Sequence, residues 1–198
     1  MRHILRQRDL LTDEWRYLGE ETADADPLIV PLAQLRSDPL QWQRRSGALG
    51  ARLGPADAVD ELGPLLPRLA LVALEFPNPG EGRGYSQARL LRGRFAFGGE
   101  LRAIGAGVRQ DQAFLLARCG FDSLEPPPGT DLEDLRRALT RYSVAYQPGS
   151  AQVKLRQQRF GPLAGALVGP AANSAPNGAL SPKAPSCRTP QRAGTQPS

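Results

Sequence analysis

The sequence predicts an α/β domain over residues 1–148, built on a mostly parallel sheet of about five β/α units as an open sheet or a partial TIM-like barrel. A disordered basic Pro/Gly/Ala-rich tail is expected to follow at residues 149–198. Three observations carry this reading. Short apolar runs of strand length alternate with stretches of helical periodicity, as βαβ units do and a meander does not. The run LALVALEF at 69–76 is almost wholly apolar, as a strand covered on both faces must be. Beyond Gln147 the periodicity stops: residues 149–198 hold six glycines, seven prolines and one aromatic, Phe160, too little apolar surface to offset the entropy of ordering.

Taken in order, Arg2 to Arg8 and Leu10 to Leu18 read as a hairpin, and Leu28 to Pro31 as a short buried strand stopped by its proline. Pro39 to Arg45 reads as a helix and Leu49 to Leu53 as a strand. Pro55 stands where a first-turn proline belongs, so Ala56 to Leu62 is expected to be helical. After the strand Leu69 to Phe76, Pro77-Asn78-Pro79-Gly80 breaks the chain. Tyr85 to Phe97 then places Ala88, Leu91 and Phe95 at helical spacing. Leu101 to Gly105 is the next strand, Arg109 to Cys119 the next helix, and Gly120 its left-handed cap. Phe121 to Glu125 is a strand. Thr130-Asp131-Leu132-Glu133 has the form of a capping box opening a helix to about Arg141, and Ser143 to Gln147 fits a last strand.

The net charge of +5 belongs to the tail. Residues 1–150 carry 19 arginines, no lysine and all 20 acidic residues, a net of −1, whereas residues 151–198 carry six basic residues and no acid. A solvated tail of this kind leaves no footprint on a folded surface, so nucleic acid is not the expected partner. No apolar run approaches the roughly 18 residues of a membrane span, and Met1 to Arg6 lacks the apolar stretch of a secretion signal, so no membrane partner and a cytoplasmic location are expected.

In a parallel α/β domain ligands bind outside the carboxyl ends of the strands. The richest such loop is Gly80 to Ser86, where glycines admit close approach and Arg83 and Ser86 add donors beside a helix N-terminus. Gly82, Arg83, Gly84, Tyr85, Ser86 and Arg89 are therefore the candidates for holding a small oxyanion; a tight turn with Ser86 as N-cap is the structural alternative. Arg89 and Arg92 join Arg83 on one face only if the helix begins early. The loop is neither a dinucleotide fingerprint, since Tyr85 stands where its third glycine would be, nor a P-loop. Glu75, Arg109, Cys119 and Asp122 are further candidates, each with a structural reading as core residue or ion-pair partner. The one histidine, His3, falls in the terminal residues, which are expected to be flexible, and with two cysteines it cannot build a zinc site or hold an iron–sulfur cluster by thiolates; no metal and no cofactor are expected.

The stretch from Leu74 to Gln147, through GRGYSQARLLR, GELRAIG, RCGFD and SVAYQP, resembles a bacterial domain-of-unknown-function family, number 934, whose members are described as oxidoreductases involved in sulfite reduction. Asp13-Glu14-Trp15 and Ile29 to Leu32 are similar too, so the resemblance spans nearly all of residues 1–147. It implies work beside the haem and iron–sulfur subunit of assimilatory sulfite reductase, in cysteine biosynthesis, with sulfite reductase or another sulfur-assimilation protein as partner. Gly107 to Gln112 departs from the family's usual V-L-R-D-Q. Two functions follow as expectations: an accessory protein that binds an anion or a reductase component, or a small enzyme using the Gly80 to Ser86 loop as an oxyanion site.

Overall fold

The computed structural model of the chain describes residues 2–21 and 23–141. The elements are β1 (His3–Arg6), β2 (Asp9–Thr12), β3 (Arg16–Tyr17), β4 (Leu28–Pro31), α1 (Leu32–Ser37), α2 (Pro39–Arg44), β5 (Leu49–Leu53), β6 (Leu69–Glu75), α3 (Arg83–Gly93), β7 (Glu100–Ile104), α4 (Gln110–Cys119), β8 (Ser123–Glu125) and α5 (Leu132–Thr140). The strands form one sheet in the order β2-β1-β8-β7-β6-β5-β4-β3. From β3 to β8 every neighbouring pair is parallel and consecutive in sequence, while β1 joins β8 and β2 antiparallel.

The covalent chain forces this sheet to curl. Strands β2 and β3 stand at its opposite edges, yet only Asp13, Glu14 and Trp15 connect them. Four residue steps reach at most about 14 Å, whereas seven intervals between flat strands would span about 34 Å. The sheet curls into a half-barrel. Its inner face brings Tyr17 Oη within 2.7 Å of Glu125, across six strands.

Each face has its own core. The outer face packs Val72 and Leu74 of β6, Phe76 just beyond it, and Leu101 and Ala103 of β7 against Leu35, Ala88, Leu91, Ala113, Leu116 and Leu135 of the helices. Inside the curl lies a smaller cluster of Tyr17, Ile29, Leu71, Ala73 and Ile104, with Trp15 packed on it. Register sets which residues share that inner face. Arg52 lies opposite Ala73, Ala73 opposite Arg102, Arg102 opposite Ser123 and Ser123 opposite Arg6, one row across five strands. Glu75, Ile104 and Glu125 form the next row towards the carboxyl ends.

Several local expectations need correction. The proposed second hairpin strand, Leu10 to Leu18, is broken at residues 13–15, because Arg16 and Tyr17 leave for the far edge and pair with Leu28 and Ile29. Ala56 to Leu62 is not an α-helix: a turn leads into short 3-10 segments at Val59–Leu62 and Leu66–Arg68, and Gly63, Pro64 and Pro67 prevent a longer ladder. The helix expected over 85–97 starts two residues earlier and ends at Gly93, since Ala96 turns back with φ +49° and sends Phe97 into the core. Helix α1 was not anticipated. Ahead of α5 there is no Thr130 capping box. Asp131 is the N-cap, accepting from the N–H groups of Glu133 and Asp134, while Thr130 donates to Pro127 O at 2.8 Å. Gly120 caps α4 at φ +101° as expected. The strand expected at Ser143 to Gln147 and the tail lie outside the described residues.

Candidate functional site

The loop singled out in the sequence sits at the carboxyl end of β6 and opens α3. Helix α3 begins at Arg83, early enough for the spacing of three to hold: Arg83, Ser86 and Arg89 are all exposed on its first two turns. Arg92 does not join them. Its side chain is turned inward, donating to Phe97 O, Gly99 O and Gly120 O and pairing with Asp122, which also accepts from Leu101 N. Arg92 and Asp122 thus clasp the amino ends of β7 and β8.

At the helix start, Gly82 is the N-cap without any side-chain cap, and Ser86 lies inside the first turns rather than at the cap. Glu81 supplies a carboxylate instead, accepting from Arg83 N at 2.9 Å and lying 4.0 Å from the Arg83 guanidinium. An external anion on these amides has to compete with it. Gly84 has no positive φ. It is buried against the Phe76 ring, where a Cβ would sit 2.4 Å from Cζ. Tyr85 meets the same ring edge-on at 5.1 Å and donates to Gln112, whose amide reaches Pro79 O at 2.6 Å. Burial, and then the neighbouring Cys119 and Asp111, push the Tyr85 hydroxyl up to about 12, so it remains a donor.

The remaining sequence candidates are scattered. Arg109 precedes α4 in solvent and pairs with Asp111 at 3.4 Å. Cys119 ends α4, half-buried; burial raises its thiol pKa, opposed by Arg89 and Arg118. Glu75 ends β6 and pairs with Arg52 on the inner face. The residues expected to hold an oxyanion are therefore adjacent, while Glu75, Arg109 and Asp122 belong elsewhere.

Reading the chain alone misses a second polar constellation, inside the curl. Arg102, 1% exposed, donates to Asp13 at 2.9 Å, to Glu100 at 3.1 Å and to Glu125 at 3.4 Å. Ser123 also donates to Glu100, at 2.6 Å. Burial works against the Arg102 charge, but Asp13 and Glu100 outweigh it and hold the guanidinium pKa up. Arg2 stacks over the Tyr17 ring at 4.4 Å, donates to Trp15 O and Glu20, and lies 3.6 Å from Asp13. Tyr17 is raised far above a free phenol by burial and by Glu125, so it too is a fixed donor. The signal in the sequence was a charge at the centre of an otherwise apolar strand, Arg102 in LRAI. Its partner Asp13 is 89 residues away. His3, expected to be flexible, is an ordered residue of β1 beside this network.

Among the described residues no group of three or more His, Cys, Asp or Glu is placed to hold a metal ion, and no helix is long and apolar enough to cross a membrane. The family model for a bacterial protein of unknown function (DUF934) matches residues 50–155, more than half of the chain. The chain belongs to that family. No curated protein matches it. The DUF934 match runs from the second residue of β5 through α5 and so contains Arg83, Ser86 and Arg89 as well as Arg102, Glu100 and Glu125; Asp13 and Tyr17, which complete the inner network, lie before it.

Proposed function

We propose that this protein is an accessory component of assimilatory sulfite reduction that binds a small oxyanion, sulfite or sulfate, across Arg83, Ser86 and Arg89. The observation that carries the reading is the exposure of two guanidinium groups and one hydroxyl on the first two turns of an eleven-residue helix. Guanidinium forks match the acceptor geometry of such an anion, and the helix dipole favours negative charge there. The pathway is supported by the resemblance to relatives of that description, not by the geometry. Because Glu81 competes for the same amides, binding is weak and depends on salt.

Titration calorimetry with sulfite and with sulfate tests the site. Wild type gives a saturable heat that Arg83→Ala and Arg89→Ala each abolish, while thermal melting is unchanged because both side chains are in solvent. Identical heats in all three proteins, or none in any, overturn the site. The pathway has its own test: a deletion strain should grow on cysteine and fail on sulfate and sulfite, and equal growth on all three removes the assignment.

A further inference from the structure

A cleft of about 320 Å³ opens between the amino end of β1 and the loop after β8, lined by Arg2, His3, Glu125, Thr130 and the proline run 126–128. It lies at the carboxyl end of a parallel strand of a curled sheet, where such folds place their ligands, and its volume is at the small end of ligand sites. It is distinct from the face of α3.

The chemistry of the lining is unbalanced in favour of acceptors. Glu125 Oε2 is occupied by Tyr17 and Arg102, but among the described residues its Oε1 has only the Arg2 guanidinium as an ion-pair partner, at 3.9 Å. Three consecutive prolines bring carbonyls and no N–H. The Thr130 hydroxyl spends its hydrogen on Pro127 O and keeps its lone pairs. Arg2, the one permanent cation of the lining, directs its guanidinium to Glu20, Trp15 O and Asp13. Behind it, Asp13 Oδ2 is buried without a hydrogen-bond partner among the described residues. Among the lining side chains acceptors are in surplus and the donors of Arg2 and Thr130 are committed, the complement of a ligand that brings several N–H donors and a positive charge.

The geometry points to a binding site for a small organic ammonium compound, a primary amine or the α-ammonium group of an amino acid, with Glu125 as its counter-charge and the proline run as its apolar wall. The hydrogen bonds from Tyr17 and Arg102 hold the Glu125 carboxylate in place.

His3 is the only histidine in the chain, so its ring resonances report on this cleft alone. The full-length protein is titrated at constant ionic strength with ethylammonium chloride, L-alanine, sodium acetate and sodium sulfate while the imidazole signals are followed by NMR. Ethylammonium and alanine should both shift His3 saturably, with acetate and sulfate silent. Glu125→Gln, which keeps an acceptor for Tyr17 and Arg102, should weaken both at least tenfold. Thr130→Leu, which fills the cleft without touching the inner network, should do the same and guards against a misfolded Glu125 variant. Absence of saturable shifts with the two ammonium compounds, equal shifts with acetate or sulfate, or titrations unchanged in both variants overturns the site. None of these outcomes bears on the α3 face, whose anion is read by calorimetry and by Arg83→Ala.

Discussion

At the scale of single residues, Gly84 is required by packing and not by backbone conformation. The Phe76 ring, itself fully buried and held edge-on by Tyr85 and Phe121, occupies the space in which any β-carbon at position 84 would lie. Overpacking of this kind costs about 1–3 kcal/mol. Gly84→Ala should therefore lower the melting temperature, and Gly84→Val should lower it more. Pairing Gly84→Ala with Phe76→Leu should recover part of the loss, because the shorter side chain withdraws the atoms that clash. A double variant no better than the sum of its singles, by thermal denaturation, shows that the ring is not the obstacle. Such a variant also separates folding from binding: Arg83 is in solvent one residue away, and its loss should leave stability untouched.

At the scale of elements, α5 shows how a short helix is assembled from several small terms. Asp131 satisfies two N–H groups at its start, Glu133 and Asp134 add negative charge to the first turn, and Arg136 and Arg137 pair back to them three residues on. Leu135 and Ala138 bury the inner stripe. The surface pairs contribute little, because solvent screens them. The cap is worth more: Asp131→Ala should cost about 1 kcal/mol, seen as a lower urea midpoint at unchanged slope, whereas Glu133→Ala should cost less. The reverse order would mean that the first-turn charge, not the cap, anchors the helix.

For the whole molecule, the expected boundary at Pro148 and the family match to residue 155 give two places to cut. Residues 156–198 carry one aromatic and no acidic residue, so truncation after Leu155 should leave the melting temperature within a degree or two of the full chain. A loss of about 1 kcal/mol would shift it by roughly 2–8 °C in a domain of this size. Truncation after Gly149 should behave the same way. If it alone destabilises, the domain extends past Pro148 to the end of the family match.

Much of the scaffold was legible in the chain because its signals are local. Near-continuous apolar runs marked β4 and β6, as expected of strands covered on both faces, shorter mostly apolar stretches marked β5 and β7 in spite of Arg52 and Arg102, and Gly120 marked the end of α4 because only glycine takes that left-handed turn without strain. The loop at Gly80 to Ser86 was legible for the same reason: its residues are neighbours in sequence. The inner network was not. Arg102, Asp13, Tyr17 and Glu125 meet only because three residues link the two edges of an eight-stranded sheet and force it to curl, a long-range constraint that leaves no mark on any one segment. Composition and periodicity determined that residues 1–148 read as an α/β domain with a basic tail to follow. Curling of the sheet decided which charges are buried together, because register and curvature, and not sequence neighbourhood, set the distances over which those charges act.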